Sequence, residues 1–168
     1  MARFATPLAI SGMVFGLALT AQPALAQDPG QIARVQAGGS CPGCNLFQAD
    51  LVGREIPGVD VSGSRLRQSD LSYSIMDRAN FSGTDLSVAE GYAGRFTRAN
   101  FSHANLQDAS FVGAYLGYAN FNGATFGGTV LAGANLEGAQ NLTQAQLNGA
   151  CGDGETRLPA GLHLSSCY

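Results

Sequence analysis

Lysine is absent from the chain, tryptophan is absent, and histidine occurs only twice. Its nine basic residues are all arginine and face twelve acids, so composition offers no general attraction to nucleic acid. Only His103 and His163 are available for imidazole chemistry, and no Gly-rich phosphate loop, G-x-S-x-G or H-E-x-x-H motif occurs. The usual constellations of phosphate, nucleophilic and zinc chemistry are therefore missing, and the chain is read as a non-enzyme with no cofactor and no metal. Long apolar runs are lacking as well. The one candidate, LAISGMVFGLAL (8–19), is too short to span a bilayer. It follows Arg3 and precedes the small-x-small motif ALA (24–26), the layout of a cleaved secretory signal over residues 1–26. No cysteine stands at the cleavage point, which argues against a lipid anchor. Cleavage leaves eight arginines and twelve acids, a net charge of −4 (8 − 12). The expected product is periplasmic or secreted, with no membrane attachment.

What the sequence has instead is a five-residue period. Counted in fives from Leu46 to Leu136, the central position is large and apolar at every step except Gly91. Two residues before each centre the chain prefers Ala, Ser or Thr; Arg54 and Val59 depart from this. Two residues after, Gly recurs, as at Gly53, Gly63, Gly83, Gly113, Gly123 and Gly133. Neither a helix nor a strand repeats at five, but a solenoid of flat five-residue sides does. The bulky centre and its small companion face a narrow interior, and the other three positions face water. Gly91 leaves out one bulky side chain without shifting the register, which predicts a gap between Leu71 and Phe111, narrowed by its neighbours and covered from outside by Tyr92. The spacing alone leaves the coil length open. Twenty residues per coil stack Phe81, Phe101 and Phe121, and fifteen stack Phe81, Phe96, Phe111 and Phe126.

The units ANFSH, ANLQD, ANFNG and ANLEG follow the pattern A-(D/N)-L-x-x, and residues 44–140 resemble the pentapeptide-repeat family on that basis. The resemblance implies an all-β fold, a right-handed quadrilateral (four-sided) parallel β-helix with twenty residues per coil. That gives just under five coils, a rod roughly 23 Å long at the spacing of paired strands. The expected organisation is a signal over 1–26, a polar, Gly-rich flexible segment over 27–40, the β-helix over 41–140, and a cap and tail over 141–168. A solenoid must cover its terminal coil or its edge will pair with other chains. At the C-terminal end, Thr143 with Gln146 forms a capping-box pattern, so a short helix is expected there, seating Leu142 and Leu147 on the last coil. Residues 151–168 read as irregular chain. A homodimer through an end of the rod is a partner this shape permits.

The four cysteines stand at the two ends. Export exposes them to an oxidising compartment. Bridged Cα atoms lie within about 7 Å, whereas the rod separates its ends by some 20 Å at the spacing above, so Cys151–Cys167 is the preferred bridge. Cys41 and Cys44 lie in CPGC, the spacing of thiol–disulfide oxidoreductases. Those enzymes place the first thiol at a helix N-terminus, a setting not visible around CPGC, so a structural pairing is preferred to redox catalysis or metal binding. Haem attachment would need His where Asn45 stands.

Twenty-residue coils also align outward side chains. Arg78, Arg98 and Tyr118 fall in one row, with Ile75, Arg95 and Tyr115 beside them. Arginine and aromatic residues are enriched where proteins bind partners, and this patch suits an acidic or carboxylate-bearing ligand. Its bland counterpart is a solvated face with arginines lying over tyrosine rings. Asp50, Asp70 and Glu90 form a second row, expected to be offset by nearby arginine and water rather than by Ca²⁺. Asn80, Asn100 and Asn120 form a third, expected to bond to one another and to local backbone. The reading that follows is an exported, non-enzymatic structural or interaction scaffold for an unidentified protein or acidic ligand. Two rivals stand beside it. One comes from the resemblance, since some pentapeptide-repeat proteins mimic duplex DNA and bind DNA gyrase. Against it, residues 46–140 hold nine acids to six arginines, too mild a balance. The other is CxxC-dependent redox activity.

Overall fold

A computed structural model describes residues 27–167; the signal reading of 1–26 lies outside the described residues. Each five-residue unit closes on itself. The N–H of the small residue donates to the carbonyl of the preceding bulky centre, as in Ala49 to Leu46 at 3.0 Å and Ala104 to Phe101 at 3.0 Å. Between them, the residue two after the centre takes positive φ, from 51° at Ala93 to 73° at Gly128. A β-turn with its third residue left-handed is the type II pattern, and it explains why glycine recurs there.

Bridges then link each unit to the one twenty residues on, always in parallel. Asn45 pairs with Arg65, Asp50 with Asp70, Glu55 with Ile75, and Asp60 with Asn80. The offset excludes fifteen-residue coils. Leu46 donates to the carbonyl of Arg65 at 2.9 Å while Arg65 donates to that of Cys44 at 2.9 Å, so backbone polar groups are paired from coil to coil. The chain therefore coils as a parallel β-helix with four five-residue units per turn.

The bulky centres fill the interior. Phe81 and Phe101 stack at 4.9 Å between ring centroids, and Phe101 and Phe121 at 5.3 Å. Phe96 and Phe111 meet edge to face at 5.6 Å. The expected gap at Gly91 is filled. A Cβ there would come within 2.6 Å of the Phe111 ring, so the phenylalanine one coil on occupies the volume that Gly91 leaves. Tyr92 does not seal it; its ring meets that of Tyr73 edge-on at 5.4 Å, on the outside. Where the small inward residue carries a hydroxyl, the hydroxyl donates to a nearby carbonyl: Ser69 to Leu66 at 2.6 Å, Ser74 to Leu71 at 2.7 Å, and Thr84 to Val61 at 3.1 Å. Buried hydroxyls are thus satisfied without interrupting the apolar column.

The N-terminal segment differs from the flexible tether expected over 27–40. Pro29–Gln36 forms helix α1, with Pro in its first turn and the Asp28 carboxylate accepting from Gly30 and Gln31 as N-cap. Ile32 and Val35 are buried against the first coil. Gln31 accepts from the exposed-edge N–H of Asn45 at 2.6 Å, and the Gln36 amide donates to the Asp50 carbonyl at 2.7 Å. At the far end, Gln144–Leu147 forms helix α2 with the expected Thr143–Gln146 capping box, and Leu147 is buried. The Gln146 amide donates to the carbonyls of Phe121 and Ala124.

Residues 151–167 are not irregular as expected. Cys151 pairs with Val130 and Arg157 with Asn135, continuing the coil. Cys151–Gly152 (β1) also pairs in parallel with Ser165–Ser166 (β2). The disulfides are Cys41–Cys44 and Cys151–Cys167, with Cα atoms 5.6 and 4.9 Å apart. The second fastens β2 beside β1.

Candidate functional site

The outward rows follow from the twenty-residue bridges. Ile75, Arg95 and Tyr115 are successive bridge partners, and this row continues to Asn135. Arg78, Arg98 and Tyr118 stand at the left-handed corner of the same units, at φ 58°, 61° and 58°. We refer to this face as the arginine side.

The expected patch divides on close inspection. Arg78, Arg98 and Tyr118 come together with Asp77, Thr97, Pro57 and Gly58 around an open cleft of about 480 Å³. The Arg98 guanidinium lies 5.7 Å from the centre of the Tyr118 ring. The ring in turn packs on the next coil, where a Cβ on Gly138 would come within 2.6 Å of it. Arg95 is turned to Asp77, its guanidinium 2.7 Å from Oδ2, with a 2.8 Å hydrogen bond from Nε to the same oxygen. The second Asp77 oxygen accepts from the Thr97 backbone at 3.0 Å. Tyr115 belongs elsewhere, in a hollow of about 260 Å³ with Gly113, Gly133, Asn135, Glu155 and Arg157. Asp77 escaped the sequence reading. The twenty-residue register places it one coil below Thr97 and beside the Arg95 row, which was the available signal.

The neighbouring side carries Asp50, Asp70 and Glu90 as bridge partners. Arginine does not offset them as expected. Asp50 and Asp70 accept from backbone N–H groups of their own units, Val52 at 3.1 Å and Ser72 at 2.9 Å. Among the described residues no group of three or more His, Cys, Asp or Glu side chains converges as metal ligands would. Tyr73 and Tyr92 stand on this same side, both exposed; Tyr73 escaped the sequence reading because it belongs to no arginine row, and Tyr92 was read there only as a cover for Gly91.

The asparagine row does what its chemistry suggests. Asn100 donates to Asn80 at 3.1 Å, Asn120 to Asn100 at 3.2 Å and Asn141 to Asn120 at 2.8 Å. Each acceptor oxygen of Asn80, Asn100 and Asn120 also takes the N–H two residues on. Asp60 continues the row downward, and its carboxyl is held below the usual carboxylate range, first by the Ser62 backbone N–H. Each of these oxygens is thus taken twice within the side itself, which leaves them less to offer a ligand.

The CPGC motif lacks the setting of a redox site. Cys41 is 1% exposed, and α1 ends at Gln36, so neither sulfur sits at a helix N-terminus.

A family model described as pentapeptide repeats matches residues 58–87, 95–131 and 109–151, in 8 copies. The chain belongs to the pentapeptide-repeat family. Among solved pentapeptide-repeat structures, one from the Arabidopsis thaliana thylakoid lumen is 26% identical over 75% of this chain and 72% of its own, with a TM-score of 0.51. Rfr23 from the cyanobacterium Cyanothece 51142 is 23% identical over 77% of this chain and 97% of its own, with a TM-score of 0.43. QnrB1, a plasmid-mediated fluoroquinolone resistance protein, is 18% identical over 76% and 83%, with a TM-score of 0.36. No curated protein matches the chain. As a pentapeptide-repeat protein it presents rows of side chains repeated every twenty residues.

Proposed function

We propose that this protein is an exported, non-enzymatic scaffold that binds a protein or acidic partner through the arginine side and the side next to it. Its rod is a right-handed, four-sided coil, the form the pentapeptide-repeat family takes. One observation carries the binding reading. The exposed tyrosines Tyr73, Tyr92, Tyr115 and Tyr118, together with Arg78, Arg95 and Arg98, all fall on two sides that share a corner. Tyrosine and arginine dominate binding energy at protein interfaces because they bury large rigid surfaces and keep a polar tip. The asparagine side shows the contrast, since its amides are already bonded to one another.

Export is supported by the signal layout of residues 1–26 and by the two disulfides, which persist in oxidising compartments. The Arabidopsis thaliana structure comes from the thylakoid lumen, a location consistent with the same reading. The rival readings gain no support. A strip that imitates DNA needs acids along its exposed rows, and the arginine side interrupts them. The buried Cys41 sulfur is a poor nucleophile. A dimer through an end would meet cap against cap, because α1 and α2 already occupy both ends.

The test is a pull-down from periplasmic or extracellular extract. The wild type and an Arg95/Arg98/Tyr115/Tyr118 alanine variant serve as baits, with fractionation of the mature protein alongside. A partner retained by the wild type and lost by the variant is the expected result. Equal capture by both, or a cytoplasmic mature chain, rejects the reading.

A further inference from the structure

We propose that the cleft between Arg78 and Arg98 is a binding site for a pair of carboxylates, and that Arg95 strengthens its positive charge by pairing Asp77. This rests on the arginine side being the interaction surface and names the chemistry that surface takes. Arg78 and Arg98 occupy the same corner position in consecutive coils, so their backbones stand about 4.8 Å apart. No carboxylate reaches either guanidinium; the ion pair among the described residues is Arg95–Asp77. Two arginine forks carried on adjacent coils can take two carboxylates held a few bonds apart, each by a pair of N–H groups. Pro57, Gly58 and the Tyr118 ring supply an apolar part of the wall, which suits a short carbon chain between the two acids. A cleft of about 480 Å³ is also larger than a single inorganic oxyanion needs.

Asp77 is the one acid lining the cleft, and left free it would repel an incoming carboxylate and draw the arginines to itself. It is not free. Arg95 holds Oδ2 and the Thr97 N–H holds Oδ1. Arg95 is therefore a positioning residue: it does not line the cleft, but by pairing Asp77 it leaves the charges of Arg78 and Arg98 uncancelled. Small dicarboxylates and acidic peptide segments share this chemistry.

The experiment is calorimetric titration of the folded, disulfide-bonded protein with glutarate, with acetate, and with an N-acetylated triglutamate peptide amide. Glutarate or the peptide is expected to bind, and acetate at least about tenfold more weakly, since it fills one fork. The tighter of the two ligands identifies the source. Arg78→Gln and Arg98→Gln are each expected to weaken binding about tenfold. Arg95→Gln weakens it several-fold, and Arg95→Gln with Asp77→Asn restores it to within about twofold of wild type, a rescue that a purely structural role for Arg95 would not produce. Circular dichroism and melting of each variant confirm folding. Acetate binding as tightly as glutarate, arginine variants binding like wild type, or no binding by any probe overturns the proposal. If the pull-down partner still depends on the alanine-scanned residues while no dicarboxylate binds, the cleft alone is rejected. If dicarboxylates bind while no partner is captured, the partner reading alone is rejected.

Discussion

Val88 holds φ at 58° in an exposed corner, a backbone region that a β-branched residue enters only at a cost. Every other unit places glycine or an unbranched residue there, because hydrogen bonding between coils dictates the left-handed turn regardless of the side chain. Glycine has no Cβ to clash in that region. Val88→Gly is therefore expected to stabilise the protein by about 0.5–1 kcal/mol, the steric relief of roughly 1–2 kcal/mol being partly offset by the extra freedom of the unfolded chain. Thermal melting would show the gain, and a lower melting temperature would contradict this account of the corner. Gly91 presents the opposite case. Its φ is not left-handed, so the issue is space alone, and a Cβ would come within 2.6 Å of Phe111 atoms on a fully packed ring. Gly91→Ala should destabilise by about 1–3 kcal/mol through overpacking. Had the missing side chain left a void, the same substitution would stabilise, so the sign of the change in denaturant midpoint decides between them.

At the scale of elements, both caps solve one problem. The first and last coils present backbone groups with no further coil to pair with. α1 covers the first with Ile32 and Val35 and satisfies Asn45 and Asp50 with glutamine side chains. α2 uses Leu147 and Gln146 in the same way. Asp28 starts α1 by accepting two N–H groups, and Asp28→Ala should cost about 1 kcal/mol. The measurable effect is earlier melting and faster amide exchange at the first coil, with the last coil unaffected. The interior coils were legible in the sequence because each unit repeats the same small–bulky pair, so one rule read many residues. α2 was legible from Thr143 and Gln146. α1 was not read, although Asp28 before Pro29 and the Ile32/Val35 spacing mark a helix start and a buried stripe; surrounding glycines and polar residues drew attention to flexibility instead. The β1–β2 pairing had no such signal, since two-residue strands are set by the disulfide and the last coil rather than by their own pattern. The arginine and asparagine rows were legible once the coil length was taken as twenty. The Arg95–Asp77 pairing was not, because it depends on how side chains lean between neighbouring coils.

For the whole molecule, stability should accumulate coil by coil, since each coil touches only those above and below. That makes register, not length, the critical variable. Removing residues 81–100 deletes one full turn and returns every downstream residue to the side it occupied. Phe101 would then stack on Val61, Tyr115 would pair with Ile75, and both caps would meet the same coils as before. This variant is expected to fold, to melt cooperatively at a lower temperature, and to keep its β-type circular dichroism with both disulfides formed. It would also lose Arg95 and Arg98, and with them the carboxylate site, so fold and binding come apart in one protein. Removing only residues 91–93 is the control. A three-residue deletion leaves a side too short to cross between corners and moves Phe96, Phe101 and every later centre out of the inward position. That smaller deletion should abolish cooperative melting, because burying a phenylalanine is worth about 1.5–3 kcal/mol and several would be turned to solvent at once. If the three-residue variant melts like wild type while the twenty-residue variant does not fold, the stacked-coil basis of the structure is wrong.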